Sequence, residues 1–252
     1  MSTRPFLIFF VVSSGVLLGS PSVGRGEEVL VGVATNFASA IARLEPEFEA
    51  LSGHDLVVTS ASTGKLYAQV VHGAPFQVLL AADQARPARL VSEGLAVGSS
   101  LRTYAIGRLV LWSLDPHRFA QGGLKALEDA SFRRLAIANP DLAPYGAAAR
   151  ETLIELGLEG RLKDRIVMGE NIGQTFSLVA TGNAELGFVA ASQAAHEVGS
   201  GWLVPQDLHE PIRQDVVLLN VGAGSTAARS FLDFLETPAA RSLIRASGYE
   251  VE

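Results

Sequence analysis

From Glu28 onward, short β-branched and apolar runs alternate with stretches whose apolar positions recur every three or four residues. This is the pattern of an α/β fold with largely parallel sheet, because parallel strands need helical crossovers between them. Residues 29–34 read as the first strand, 56–59 as the second and 78–82 as the third. Phe37, Ile41, Leu44 and Phe48 share one face of a helix ending near Gly53, and 66–71 begin a shorter one. A second series follows, with strands at 109–114, 135–138, 166–168 and 186–190 and helical stretches such as 147–156. Residues 103–107 carry no helical period and read as an extended crossing. A return starts at 216–219, and Phe231, Leu232, Phe234 and Leu235 close the chain with helices. The expectation is two lobes joined by a two-segment hinge, each a mostly parallel sheet flanked by helices. Lobe 1 runs over 27–105, lobe 2 over 106–212, and 213–252 return to complete lobe 1.

The first 26 residues do not belong to this pattern. Arg4 precedes apolar runs at 6–12 and 15–18, followed by the small residues Ser20, Ser22 and Gly24. This reads as a secretory signal peptide, since Ser13 and Ser14 interrupt a stretch already shorter than the roughly 20 residues a bilayer span needs. The chain has no cysteine, which excludes a lipoprotein anchor, thiol catalysis, Cys-ligated zinc and disulfides. Lys and Arg number 20 against 26 Asp and Glu, a formal charge of −6, with 48% hydrophobic residues. Disorder and a polybasic nucleic-acid module are thereby excluded. Losing Arg4 and Arg25 with the leader makes the expected periplasmic product more acidic still.

Four strands end in small polar turns that lead directly into helices: Thr35-Asn36, the stretch 60–64, Pro144-Tyr145-Gly146 and Asn171-Ile172-Gly173. Ligands of open α/β sheets settle beyond the carboxyl ends of strands. The first turns of the following helices offer unpaired N–H groups and a positive dipole end, which suit an anion. Singly, Asn36, Thr63 and Asn171 are ordinary N-caps. Four such junctions, two in each lobe, would surround one small ligand if the lobes closed. Lys65, in a first helical turn, is expected to face solvent rather than the anion. Asp83 is expected to cap the next helix, and Arg102, Arg108 and Arg213 to form salt bridges near the hinge.

An enzyme is the competing class. Ser60, Ser62 and Ser225 are possible nucleophiles, but no G-x-S-x-G elbow occurs, and His54, His72, His117, His196 and His209 form no motif around them. The stretch 222–227 matches G-x-G-x-x-A, yet only 25 residues follow, too few for a dinucleotide-binding unit. No catalytic residue and no cofactor is expected.

The segments VGVATNFASAI, STGKLYAQVVHGAPFQVLLAADQ, TYAIGRLVLWS, IANPDLAPYGAAARETLIELGL and ENIGQTFSLVATGNAELGFVA, in this order, resemble the periplasmic molybdate-binding protein family. ATNF and APYG match the branch with Thr-Asn at the first loop. The resemblance implies a type II periplasmic-binding-protein fold and a monomeric receptor that binds molybdate, and tungstate nearly as well. It implies delivery to a membrane ABC permease, with no nucleic-acid partner. Carried over residue by residue, the anion-binding positions are Thr35, Asn36, Thr63, Tyr145 and Ile172. Hydroxyl and backbone N–H donors would reach the oxo groups, so the metal atom has no direct protein ligand. The alternatives are another oxyanion such as sulfate or, remotely, a secreted α/β hydrolase.

Overall fold

A computed structural model describes residues 26–129, 131–195 and 197–252. The expected leader through residue 25, and His196, lie outside the described residues. The strands are β1 (Glu28–Ala34), β2 (Asp55–Ala61), β3 (Val78–Leu80), β4 (Arg102–Gly107), β5 (Leu109–Ser113), β6 (Leu135–Ala138), β7 (Ile166–Gly169), β8 (Leu186–Ala190), β9 (Ser200–Leu203) and β10 (Ile212–Leu218). They form two five-stranded sheets, ordered β2-β1-β3-β10-β4 and β7-β6-β8-β5-β9. The helices are α1 (Ala38–Ser52), α2 (Thr63–Val71), α3 (Ala85–Ser92), α4 (Gly123–Glu128), α5 (Pro144–Glu155), α6 (Glu159–Leu162), α7 (Ile172–Ala180), α8 (Ala191–Ala194), α9 (Thr226–Leu235) and α10 (Pro238–Ala246).

Each sheet has a parallel core of three strands. β1 pairs in parallel with β2 and β3, and β6 with β7 and β8. The other strands are antiparallel: β10 to β3 and β4, and β5 to β8 and β9. These antiparallel strands lie where the chain changes sheets. Only Arg108 separates β4 from β5, so no crossover helix fits there, and the return enters β10 at Ile212 opposite Gly107. β9 has no counterpart in the sequence reading; its SGWL is a short edge segment with no clear alternation.

The core of the first half explains the return of the chain. Helix α1 buries Ala40, Ile41, Leu44 and Phe48 and ends at Gly53, whose φ of 71° gives the left-handed C-cap that glycine adopts without strain. Phe48 meets Phe231 and Phe234 of α9 at ring-centroid distances of 5.2 and 5.6 Å. Each fully buried ring of this kind stabilises the fold by about 1.5–3 kcal/mol, so the C-terminal helices are fixed to the first sheet by apolar burial. Leu109, Leu111, Phe132, Leu135, Leu153 and Phe188 belong to a separate core around the second sheet.

Candidate functional site

The segments that follow β1, β2, β3, β6 and β7 converge on one small, tightly closed cavity. It is lined by Ala34, Thr35, Asn36, Ser62, Thr63, Ala82, Ala143, Pro144, Tyr145 and Ile172. All five residues singled out from the sequence, Thr35, Asn36, Thr63, Tyr145 and Ile172, are therefore brought together. They come from both sheets, at the carboxyl ends of parallel strands, where the helical crossovers start. No charged side chain lines the cavity.

Local folding explains what each residue can offer. Thr35 opens a 3-10 turn, Thr35–Phe37, that runs into α1. Its hydroxyl has no hydrogen-bond partner among the described residues. At α2 the cap is Ser62 rather than the expected Thr63: the Ser62 hydroxyl accepts from Lys65 N at 3.4 Å. Thr63 stands one residue later, as the first of the helix, and its Oγ1 accepts from Ala82 N at 3.0 Å, leaving its own O–H to donate. Pro144 occupies the first turn of α5, where its missing N–H costs nothing, and Tyr145 follows. Asn171 caps α7 as expected, accepting from Gln174 N at 2.9 Å, and Ile172 follows it. The backbone N–H groups of Thr35, Asn36, Thr63, Tyr145 and Ile172 open their helices, and no backbone carbonyl among the described residues takes them up.

The side chains of Asn36 and Tyr145 are both engaged within the protein. Asn36 makes no capping bond; its buried Nδ2 donates to Gln214 Oε1 at 2.8 Å and to the Tyr249 hydroxyl at 3.1 Å. Its amide hydrogens are thus committed within the protein, and the backbone N–H is what it can present. The Tyr145 hydroxyl accepts from Gln214 Nε2 at 3.3 Å, so the ring reaches toward the crossing strands. Burial raises its pKa well above the ordinary tyrosine value, which keeps the phenol neutral. Sequence reasoning missed Ser62 as a site residue, although its position before Thr63 and its N-cap chemistry could have pointed to it. It also missed Gln214, which lies 178 residues from Asn36 inside a strand and carries no local signal.

The charges nearby are paired off. Lys65 faces neither solvent alone nor the cavity: its Nζ pairs with Glu170, which precedes α7 in the other half of the molecule. Asp83 accepts from Arg86 N at 2.9 Å, and the Arg86 side chain reaches the Asp141 carbonyl at 2.7 Å, again across the two halves. Gly64 N donates to Leu142 O at 2.9 Å. A Cβ on Gly64 would stand 3.0 Å from both Leu142 Cα and O, so this approach of backbone to backbone needs glycine. Arg102 pairs with Glu236 at 3.0 Å, Arg108 with Glu250 at 2.8 Å and Arg213 with Glu252 at 2.5 Å, as expected near the hinge. Among the described residues no group of three or more His, Asp or Glu could hold a metal ion, and no helix is long and apolar enough to cross a membrane. The cavity is thus lined by neutral donors without a carboxylate acceptor, chemistry that suits a fully deprotonated oxyanion.

Residues 29–250 match the family model of the bacterial extracellular solute-binding proteins. The chain is 46% identical to the molybdate-binding protein ModA of Rhodobacter capsulatus over 94% of each chain. It is also 46% identical to ModA of Azotobacter vinelandii, covering 90% of this chain and 92% of the relative. The solved structure of the Azotobacter vinelandii periplasmic molybdate-binding protein superposes with a TM-score of 0.85 at 40% identity, over 89% of this chain and 99% of that one. Fold and sequence agree: the chain belongs to the bacterial extracellular solute-binding proteins and, within them, to the ModA family.

Proposed function

We propose that the protein is the periplasmic receptor of an ABC importer, capturing molybdate, and tungstate nearly as well, and presenting it as a monomer to a membrane permease. The observation that carries this reading is the convergence of Thr35, Asn36, Thr63, Tyr145 and Ile172, from four strand ends in two sheets, on one cavity without charged side chains. The Thr35 and Thr63 hydroxyls and the five backbone N–H groups bind the oxo groups, and Ser62 adds a further hydroxyl. No residue acts as a nucleophile or a general base, and no cofactor takes part. The relatives named above are binding proteins, in keeping with this.

The magnitudes fit capture rather than permanent retention. About eight charge-assisted hydrogen bonds at roughly 1.5–3 kcal/mol each give about 12–24 kcal/mol. Micromolar to nanomolar affinity corresponds to about 8–12 kcal/mol, and the difference is consumed by dehydrating the anion and ordering the closed state. The formal charge of −6 repels a dianion at long range, so the local helix-terminal dipoles must prevail at contact. Neutral donors also favour release, because opening at the hinge returns every bond to water together. Calorimetry with molybdate, tungstate, sulfate and phosphate tests the reading. Molybdate and tungstate are expected to bind at one site per chain and to resist a large excess of sulfate; ready displacement by sulfate would overturn the assignment of the ligand.

A further inference from the structure

The cavity is backed by a buried polar cluster that ties two of its lining residues, Asn36 and Tyr145, to residues outside the lining. Gln214 stands at its centre, completely buried on β10, at the irregularity where Gln214 pairs with Ala105 and Asp215 with Thr103, leaving Tyr104 as the extra residue of β4. Such a bulge re-aims side chains. Gln214 Oε1 accepts from Asn36 Nδ2 at 2.8 Å and from the Tyr104 hydroxyl at 3.2 Å, while its Nε2 donates to the Tyr145 hydroxyl at 3.3 Å. Asn36 is gripped a second time by Tyr249, whose hydroxyl donates to the Asn36 carbonyl at 2.6 Å and meets Ser192 Oγ at 3.0 Å. Gly107 completes the arrangement: a Cβ there would fall 2.0 Å from the Tyr145 hydroxyl and 2.7 Å from Gln214 Nε2.

We propose that Gln214 is a positioning residue for the anion site: from the strand on which the chain re-enters the first sheet, it holds Asn36 of one half and Tyr145 of the other at once. This fixes the two side chains, so their backbone N–H groups are aimed at a common point only when the halves are together. The inference rests on the oxyanion-receptor reading above. All three side-chain partners of Gln214 are buried, so no water replaces it without rearranging the loops. Gly107 is required because the Tyr145 hydroxyl occupies the space of a side chain there.

The test uses the full mature chain and calorimetry with sodium molybdate, on Gln214→Leu, Gly107→Ala, Tyr145→Phe and the Gln214→Leu/Tyr145→Phe double variant, each checked for folding by circular dichroism. At unchanged stoichiometry, Gln214→Leu and Gly107→Ala are expected to raise Kd at least tenfold, mainly through faster dissociation. The double variant should lose less than the product of its single losses, because one contact is removed twice. Folded variants that bind within twofold of wild type, or that lose only active fraction while Kd stays fixed, would reduce Gln214 to a purely structural role and overturn the proposal. So would strictly multiplicative losses. The wild-type titration separates the two readings: failure with molybdate but uptake of tungstate, sulfate or phosphate refutes the ligand assignment and moves the same four variants to that anion. Uptake of none refutes both.

Discussion

Thr63 separates fold stability from ligand binding within one side chain. Its Oγ1 accepts from Ala82 N at 3.0 Å, and both residues are buried, so Thr63→Val keeps the shape and leaves that N–H without a partner. An orphaned buried donor costs about 1–3 kcal/mol of folding stability. In the proposed site the same substitution also removes the hydroxyl hydrogen offered to the anion, a charge-assisted bond of about 1.5–3 kcal/mol, so Kd for molybdate is expected to rise about 10- to 150-fold. Thr63→Ser restores the hydroxyl and should recover both quantities to a large extent. Urea unfolding of the unliganded protein reads the first and calorimetry the second. A folded Thr63→Val protein with wild-type Kd would show that this hydroxyl does not reach the ligand, and would remove the α2 side chain from the site.

Gly64→Ala should weaken molybdate binding about 5- to 150-fold with little change in unliganded stability, since the added Cβ meets Leu142 only where the halves touch; equilibrium titration beside thermal unfolding distinguishes the two. Lys65→Gln removes a half-exposed ion pair with Glu170, so only a 1.4- to 5-fold rise in Kd, shrinking further in high salt, is expected from stopped-flow and calorimetry. Tyr104, Tyr145 and Tyr249 are buried, and desolvation holds each above its ordinary value of 10.0. The unfolded chain ionises first, so their stabilising effect is complete below pH 10. It declines as pH rises toward the folded values, by up to about 1.4 kcal/mol per tyrosine per pH unit, and melting temperatures should be flat from pH 8 to 9.5 and drop steeply beyond.

The parallel core of each sheet was legible because its strands are continuous apolar runs and its crossover helices show one apolar face, as in Ile41, Leu44 and Phe48. The antiparallel strands were less so. Residues 103–107 read as an extended crossing, but their pairing with β10 depends on a partner more than 100 residues away. Ser62 takes the cap expected of Thr63 because either residue can cap a helix, and Thr63 Oγ1 is instead engaged by the Ala82 N–H, which only the tertiary fold brings near. The cluster around Gln214 was invisible for a related reason. Glutamine in a strand is unremarkable until the fold surrounds it with Asn36, Tyr104 and Tyr145. Lys65 likewise finds Glu170 only through tertiary structure.

The half-exposed link from Lys65 to Glu170 joins the two halves of the molecule, and the chain contains no cysteine of its own. Thiols installed at those two positions would accept a donor and an acceptor dye without background labelling. Their separation would then track the clamping of the receptor directly, turning a transport component into an optical gauge of dissolved oxyanion whose dynamic range could be adjusted through the contacts at Leu142.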